Sequence, residues 1–232
     1  MRPSISYFLL GVFVFTIGLG VGQAAPVVEF NDASDEGLSL NGKMDLLEDA
    51  EGRFTVEEVA ASNNFELAGP KTPNFGFSTS VYWVRFRLQN STQLGTLLLE
   101  LGYPLLDYVT LFRPSPAGGF KEMVSGDMLP FSERARDHRT ITFEVLQEPG
   151  TTETYYLRIQ TTSSVQIPVR VYTEASFGAM SSSENTILGG YYGIFIVMIL
   201  FNGLLWLSLK DRIYGYYIFF LVSYLFTMLA LN

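Results

Sequence analysis

The sequence predicts a mostly β chain in which a periplasmic β-sandwich of the jelly-roll kind is followed by two transmembrane α-helices. Three observations predict it. Apolar residues gather at 5–21 and 187–231 and leave ordinary soluble composition between them. Seven short runs in that middle region alternate apolar and polar residues and are bounded by Gly, Pro, Asn, Asp or Ser. Near the C-terminal end, two uncharged segments of 23 and 20 residues, Ile187–Leu209 and Ile213–Asn232, are each long enough to cross a bilayer core of ~30 Å at ~1.5 Å per residue.

Residues 1–24 combine Arg2, an apolar run from Ile5 to Val21 and small residues at Gly22 and Ala24, followed by Ala25. This is the three-part build of a secretory signal, expected to be removed. The small residues favour a cut after Ala24, with Pro26 close behind leaving the bond itself open; the competing reading is an uncleaved anchor helix.

Residues 25–180 are expected to form the exported sandwich. In the run Val81 to Asn90, the period of two puts Tyr82, Val84, Phe86 and Leu88 on one face and Trp83, Arg85, Arg87 and Gln89 on the other. Further runs follow at 96–101, 105–113, 119–124, 140–146, 154–160 and 165–173. In the sixth, Tyr155, Leu157 and Ile159 oppose Tyr156, Arg158 and Gln160; in the last, Ile167, Val169 and Val171 oppose Pro168, Arg170 and Tyr172. Several short strands at this spacing indicate a sandwich or jelly roll. Pro168 cannot donate to a ladder, so that run is expected at a sheet edge. Val56 to Ala61 reads as a short helix, and residues 178–186 as a polar link of small residues.

The membrane segments are expected at 187–209 and 213–232. Lys210 and Arg212 in the turn between them, with no basic residue at 181–186, place that turn in the cytoplasm and agree with export of residues 26–186. Tyr191, Tyr192 and Trp206 fit interfacial aromatic belts. Gly189 and Gly193 have the spacing of closely approaching helices, read here as packing within one chain ahead of dimerisation.

Composition excludes several functions. The formal net charge is −8, and residues 26–180 hold 21 Asp and Glu against 12 Lys and Arg, so a phosphate-binding surface for nucleic acid is not expected. With no cysteine there is no disulfide, thiolate metal site or Cys nucleophile. His138 is the single histidine, read as a solvated or hydrogen-bonded loop residue, and no Gly-x-Ser-x-Gly elbow is present. Asp32 to Gly37 begins like an EF-hand loop, but Lys43 stands where the closing Glu would be, so that site is rejected and no metal or other cofactor is expected. Asp107 and Asp127 are available carboxylates that nothing in the sequence pairs, so a glycan-processing activity is not expected and the chain is read as a non-enzyme.

What remains is a binding surface for a small molecule or carbohydrate. Trp83, Arg85 and Arg87 share one outward face, Tyr156 and Arg158 another, and Arg170 with Tyr172 a third. An aromatic ring beside a guanidinium suits stacking on a sugar and bonding to its hydroxyls or a carboxylate. The competing reading has this face covered by loops of the other sheet or by the helix near residue 56.

The order of Leu47-Glu-Asp-Ala-Glu-Gly52, Phe75-Gly-Phe77, Tyr82-Trp-Val-Arg85 with Asn90, Gly126-Asp127, Pro130-Phe131, Tyr156-Leu-Arg158 and Pro168 resembles the second type of extracellular domain of the seven-transmembrane receptors with diverse intracellular signalling modules. Tyr191-Tyr-Gly193, Phe201-Asn202, Leu207-Ser-Leu209, Lys210-Asp-Arg212 and Tyr214 to Tyr217 are similar to that family's first two helices. The resemblance spans residues 27–232. It implies a jelly-roll ectodomain similar to carbohydrate-binding modules, acting in a bacterial inner membrane as a ligand sensor for an attached kinase, cyclase or phosphodiesterase. The family continues through seven helices to an output domain, so a sequence stopping at Asn232 is expected to be a fragment, or else to signal through a partner in trans. By analogy with other receptors a homodimer is expected. The alternative reading is a membrane-anchored carbohydrate-binding or adhesion module without signalling.

Overall fold

A computed structural model describes residues 25–31, 37–134, 136 and 138–231. The expected signal and the EF-hand-like loop lie outside the described residues, apart from Gly37. The strands in chain order are β1 (Val27–Phe30), β2 (Leu38–Ser39), β3 (Asp45–Asp49), β4 (Glu66–Leu67), β5 (Asn74–Phe77), β6 (Val81–Asn90), β7 (Thr96–Leu101), β8 (Tyr108–Pro114), β9 (Phe120–Ser125), β10 (Ile141–Leu146), β11 (Thr152–Gln160), β12 (Ser164–Gln166) and β13 (Val169–Tyr172). Three helices join them: α1 (Val56–Ala61), α2 (Glu174–Leu209) and α3 (Arg212–Leu231).

Two sheets face each other. The larger runs β4-β3-β6-β11-β8-β9, and β1 adds in parallel to the end of β6 at residues 87–90, on the strand whose first half pairs with β3. The smaller runs β10-β7-β13-β2, and β5 pairs with β12 apart from both. The alternation in β6 and β11 sets the core: Tyr82, Val84, Phe86 and Leu88 with Tyr155, Leu157 and Ile159 point inward onto Leu97, Leu99, Leu101, Phe143, Val169 and Val171 of the smaller sheet. Phe86 and Tyr155 sit opposite in register with rings stacked 5.4 Å apart. One end of the sandwich is closed by buried amides: Asn90 Nδ2 donates to the Leu94 and Gln147 carbonyls, and Gln147 Nε2 to those of Leu88 and Thr151. These bonds replace the water the two side chains lose on burial.

Helix α1 occupies the expected residues because Thr55 and Glu58 form a capping box, each side chain accepting from the other's backbone N–H. Three expectations are corrected. The run 165–173 is not one edge strand: it breaks at Ile167-Pro168 into β12 and β13, and β13 lies between β7 and β2. Pro168 lies in the break, where no N–H is required of it, and its carbonyl accepts from Gly102. Residues 178–186 are not a link but part of α2, whose 36 residues run unbroken. A helix nucleated at a buried cap propagates cheaply, so small polar residues carry it into the apolar run. Gly189 and Gly193 do not seat α3, since a Cβ at either would meet nothing within 4 Å.

Helices α2 and α3 are long and apolar enough to cross a membrane. They form a hairpin at Lys210, which ends α2 in the left-handed region at φ 50°. Tyr224 of α3 stacks on Phe195 at 5.4 Å, and Gly215 leaves room for the Trp206 indole.

Candidate functional site

The outer face of the larger sheet collects five of the six residues expected to bind. Register places Arg85 opposite Tyr156 and Trp83 opposite Arg158, with Arg87 two residues along β6. Arg170 lies on β13 in the other sheet, so the six do not converge. The reading of exposed rings does not hold for Trp83 and Tyr156, and the competing one, a face covered by the helix near residue 56, does. Trp83 is 1% and Tyr156 6% exposed, covered by Val56 and Val59 of α1 together with Phe65 and Leu47. The cause is the apolar side of α1, which has to be buried somewhere and finds the indole.

The arginines divide. Arg85 Nε and Nη2 both bond Asp45 Oδ2, at 3.0 and 2.7 Å, and its guanidinium lies 4.1 Å from the centroid of the Phe65 ring. Arg87 donates to the Ala25 carbonyl. Arg158 stays half-exposed beside the Trp83 indole, at the rim of a cleft of about 390 Å³ whose walls include Phe54, Val56, Phe112, Phe120 and Glu122. Phe120 meets Tyr156 edge-on at 5.4 Å and Phe112 stacks on Trp83 at 5.5 Å. This cleft combines aromatic walls with one cation, Arg158, and two carboxylates, Glu57 and Glu122. Behind it, burial pushes the Asp49 carboxyl up, but the N–H groups of Phe54, Arg53 and Gly52 outweigh that and hold it below the ordinary range. The Trp83 Nε1–H adds to the same effect, although it has no partner within hydrogen-bonding geometry.

A second concavity, about 470 Å³, lies where the smaller sheet meets α2. Its walls come from both: Glu100, Arg170 and Tyr172 from the sheet, Arg139 and Thr140 from the loop ahead of β10, Met180 and Glu184 from the helix. Glu100 accepts from Thr140 Oγ1 at 2.8 Å. Burial and then the nearby Glu100 carboxylate push the Tyr172 hydroxyl up, with Arg170 opposing.

Around this concavity the sandwich grips the helix. Thr173 caps α2 from inside the domain: Ser176 N donates to Thr173 Oγ1 at 3.1 Å and Thr173 N to Ser176 Oγ at 3.0 Å, all buried. Phe177, one turn on, packs with Leu98 and edge-on to Tyr172 at 5.5 Å. The loop before β10 then runs along the same helical face. Arg136 bonds Glu174, His138 Nε2 lies 3.3 Å from Ser181 Oγ, and Arg139 pairs with Glu184. Residues 174, 177, 181 and 184 share one side of a 3.6-residue helix. This joint is not among the features expected from the sequence. Its signal was three cations and the single histidine within Arg134–Arg139, matched by Glu174 and Glu184 ahead of an apolar run.

The two carboxylates that nothing in the sequence pairs each have a partner in the fold. Asp107 Oδ2 accepts from the backbone and hydroxyl of Thr162, both at 2.8 Å, and Asp127 pairs with Arg134 at 3.5 Å. Among the described residues no three His, Cys, Asp or Glu side chains cluster to hold a metal.

Comparison with known families agrees with this architecture. No protein of curated function matches the chain. A family model described as 7TMR-DISM extracellular 2 matches residues 41–173, and one described as 7TM diverse intracellular signalling matches residues 184–232. The first covers more than half of the chain, spanning the sandwich from β3 to the cap of α2, and the second takes up α2 and α3; the chain belongs to the 7TMR-DISM receptors.

Proposed function

We propose that this chain is the sensory part of a bacterial inner-membrane receptor, with the sandwich in the periplasm binding a small ligand and α2 carrying the outcome across the membrane to an output module. Membership of a membrane signalling family with an extracellular sensing domain supports the receptor role. The observation that carries the coupling is the unbroken α2: its first turn is capped by Thr173 and buries Ser176 and Phe177, and its later turns are apolar enough to cross a membrane. A displacement of the smaller sheet therefore moves the helix with it, because no flexible link lies between them. Lys210 and Arg212 orient the hairpin turn towards the cytoplasm. The aromatic cleft beside α1 favours a carbohydrate as the ligand, and the reading assigns the sandwich no chemistry on it.

For such a ligand to signal it must bind one arrangement of the helices better than another. The chain has no native cysteine, so a Ser183→Cys variant gives a clean report at an exposed position on α2. The full chain in membranes is titrated with glucose, galactose and N-acetylglucosamine, each followed both by binding and by disulfide crosslinking between copies. A bound sugar that changes the crosslinking rate supports the reading. Saturating binding with unchanged crosslinking removes the signalling role and leaves the anchored, lectin-like alternative, whose function survives replacement of α2 and α3 by an unrelated anchor. Binding by none of the three removes the carbohydrate assignment.

A further inference from the structure

Asp45 is the first residue of β3 and is 1% exposed, yet its two oxygens are served unequally. Oδ2 accepts from Arg85 Nε, from Arg85 Nη2 and from the backbone nitrogen of Ala25 at 3.0 Å, while Oδ1 is buried without a partner. Ala25 is itself 1% exposed, and its carbonyl accepts from Arg87 Nη2. Both polar groups of this alanine, two residues ahead of β1, are thus held by charged side chains of the larger sheet. A buried carboxylate oxygen left bare forfeits its hydration with nothing in return.

We infer that processing cuts the Ala24–Ala25 peptide bond, and that the α-ammonium group created there is a built-in partner of Asp45. An amide nitrogen at position 25 brings one proton, which is spent on Oδ2. An ammonium brings three, so one stays on Oδ2 and a second turns to Oδ1, giving a charge-assisted bond where there was none. Asp45 then lies between two cations, Arg85 and the chain's own amino end.

The geometry selects among cuts that the sequence leaves open. Gly22 and Ala24 stand three and one residues ahead of the bond, the small-x-small arrangement that leader processing reads. A cut one residue later would remove Ala25 and leave exposed Pro26 as the terminus. Any earlier cut leaves an amide at position 25 with its single proton. In the step itself, a membrane signal peptidase uses water: the C–N bond breaks, hydroxide adds to the Ala24 acyl carbon, and the Ala25 nitrogen takes up protons to become ammonium. The sandwich gains its last ionic contact only after release from the leader, so a processed domain is more stable than an unprocessed one.

The test uses the full chain expressed with its own leader in a bacterial host and purified from membranes in detergent. Terminal sequencing is expected to return Ala25 as the first residue; any other terminus overturns the assignment. A second measurement tests the ion pair by changing the amino end, with one substitution at Asp45 as the control. The leader is replaced by a removable fusion that leaves either Ala25 or one extra Gly ahead of it. The extended chain is expected to melt lower by roughly 2–8 °C, and the difference is expected to vanish in Asp45→Asn. Equal melting of the two forms overturns the role of the ammonium.

Discussion

Phe177→Ala tests whether the sandwich and the membrane helix are joined by packing. The ring is 3% exposed, packs with Leu98, stands edge-on to Tyr172 at 5.5 Å and to His138 at 4.7 Å, and lies under the Arg136 guanidinium at 5.7 Å. Truncating a phenylalanine so placed costs about 3–5 kcal/mol in lost transfer energy and residual cavity. The polar contacts along the same helical face cannot make this up. In the Arg136–Glu174 pair the side chains are 30% and 67% exposed, and pairs of that kind contribute about 0–1 kcal/mol. Because the ring touches the outer face of the smaller sheet and the loop ahead of β10, and not the core between the sheets, the loss falls on docking of α2. Opening of the first turns of α2 is then expected to become about 10² to 4 × 10³ times more frequent. Hydrogen exchange on the full chain in detergent measures this directly. Protection of amides in 177–184 should fall by that factor, while amides of β6 and β11 change by less than about threefold. Unchanged protection in 177–184 would show that Phe177 does not anchor the helix. An equal fall in β6 and β11 would show that helix and sandwich open as one unit, which removes the idea of a separate joint.

Three further perturbations are expected to have measurable outcomes. Arg85→Met leaves the Asp45 carboxylate buried without its guanidinium and is expected to cost about 3–5 kcal/mol in chemical unfolding; Arg85→Met with Asp45→Leu should recover most of that, and no recovery would mean the pair is not what stabilises this face. Gly126→Ala places a Cβ 2.2 Å from the Asp107 carbonyl oxygen at a φ of 144°, so it is expected to lower the unfolding free energy in chemical denaturation more than any surface alanine, by upwards of about 3 kcal/mol. Asp49 and Asp107 set the acid limit: for each, burial pushes the carboxyl up but hydrogen bonds outweigh it, and the folded value lies below the ordinary 3.8. A depressed folded value means that each contributes stability fully present above the unfolded value and lost as pH falls through the folded one. Unfolding free energy should therefore decline below about pH 4, with a shallower decline in Asp107→Asn; an unaltered decline in that variant would rule out Asp107 as a contributor.

Much of the fold is written in periodicity. Two-residue alternation in Val81–Asn90 and Tyr155–Gln160 assigns every side chain of β6 and β11 to its face, since a strand has only two faces and a one-residue slip would exchange them all. Helix α1 is legible through Thr55 and Glu58, whose bonds are local. What alternation cannot convey is what lies over a face. Trp83 is on the outer side as its position requires, and it is buried all the same, because six residues of helix elsewhere in the chain fold over it. Pro168 likewise signals that a ladder must stop. Whether it stops at a sheet edge or at a crossing between two pairings depends on strands 60 and more residues away in sequence, such as β7. The helical character of residues 178–186 was hidden for a third reason: their own composition favours a link, and the helix there is imposed by the cap before them and the apolar run after them.

The two outer faces of the sandwich are closed by helices of different standing, and this decides which can speak to the membrane. Over the larger sheet lies α1, six residues that begin and end within the domain, so a ligand pressing on Arg158 and the cleft beside it can move α1 without moving anything beyond. Over the smaller sheet lies the start of α2, and whatever shifts Tyr172, Phe177 or the Arg139–Glu184 pair shifts a helix that continues to Leu209. A signal originating at the aromatic cleft must therefore cross the shared core. The path available is through β6 and β11 onto Leu97, Leu99 and Leu101 of β7, whose outward Leu98 touches Phe177. Close packing transmits such a displacement only if the core has two alternative arrangements, because a single rigid packing returns to where it began. A ligand that instead entered the concavity at the junction would need no such relay: Glu100 and Arg170 on the sheet face Glu184 and Met180 on the helix across it, so occupancy alone sets their separation. The cleft proposed for the ligand and the concavity that touches the helix are on opposite faces of the domain, and the crosslinking rate of Ser183→Cys with a bound sugar measures whether the core connects them.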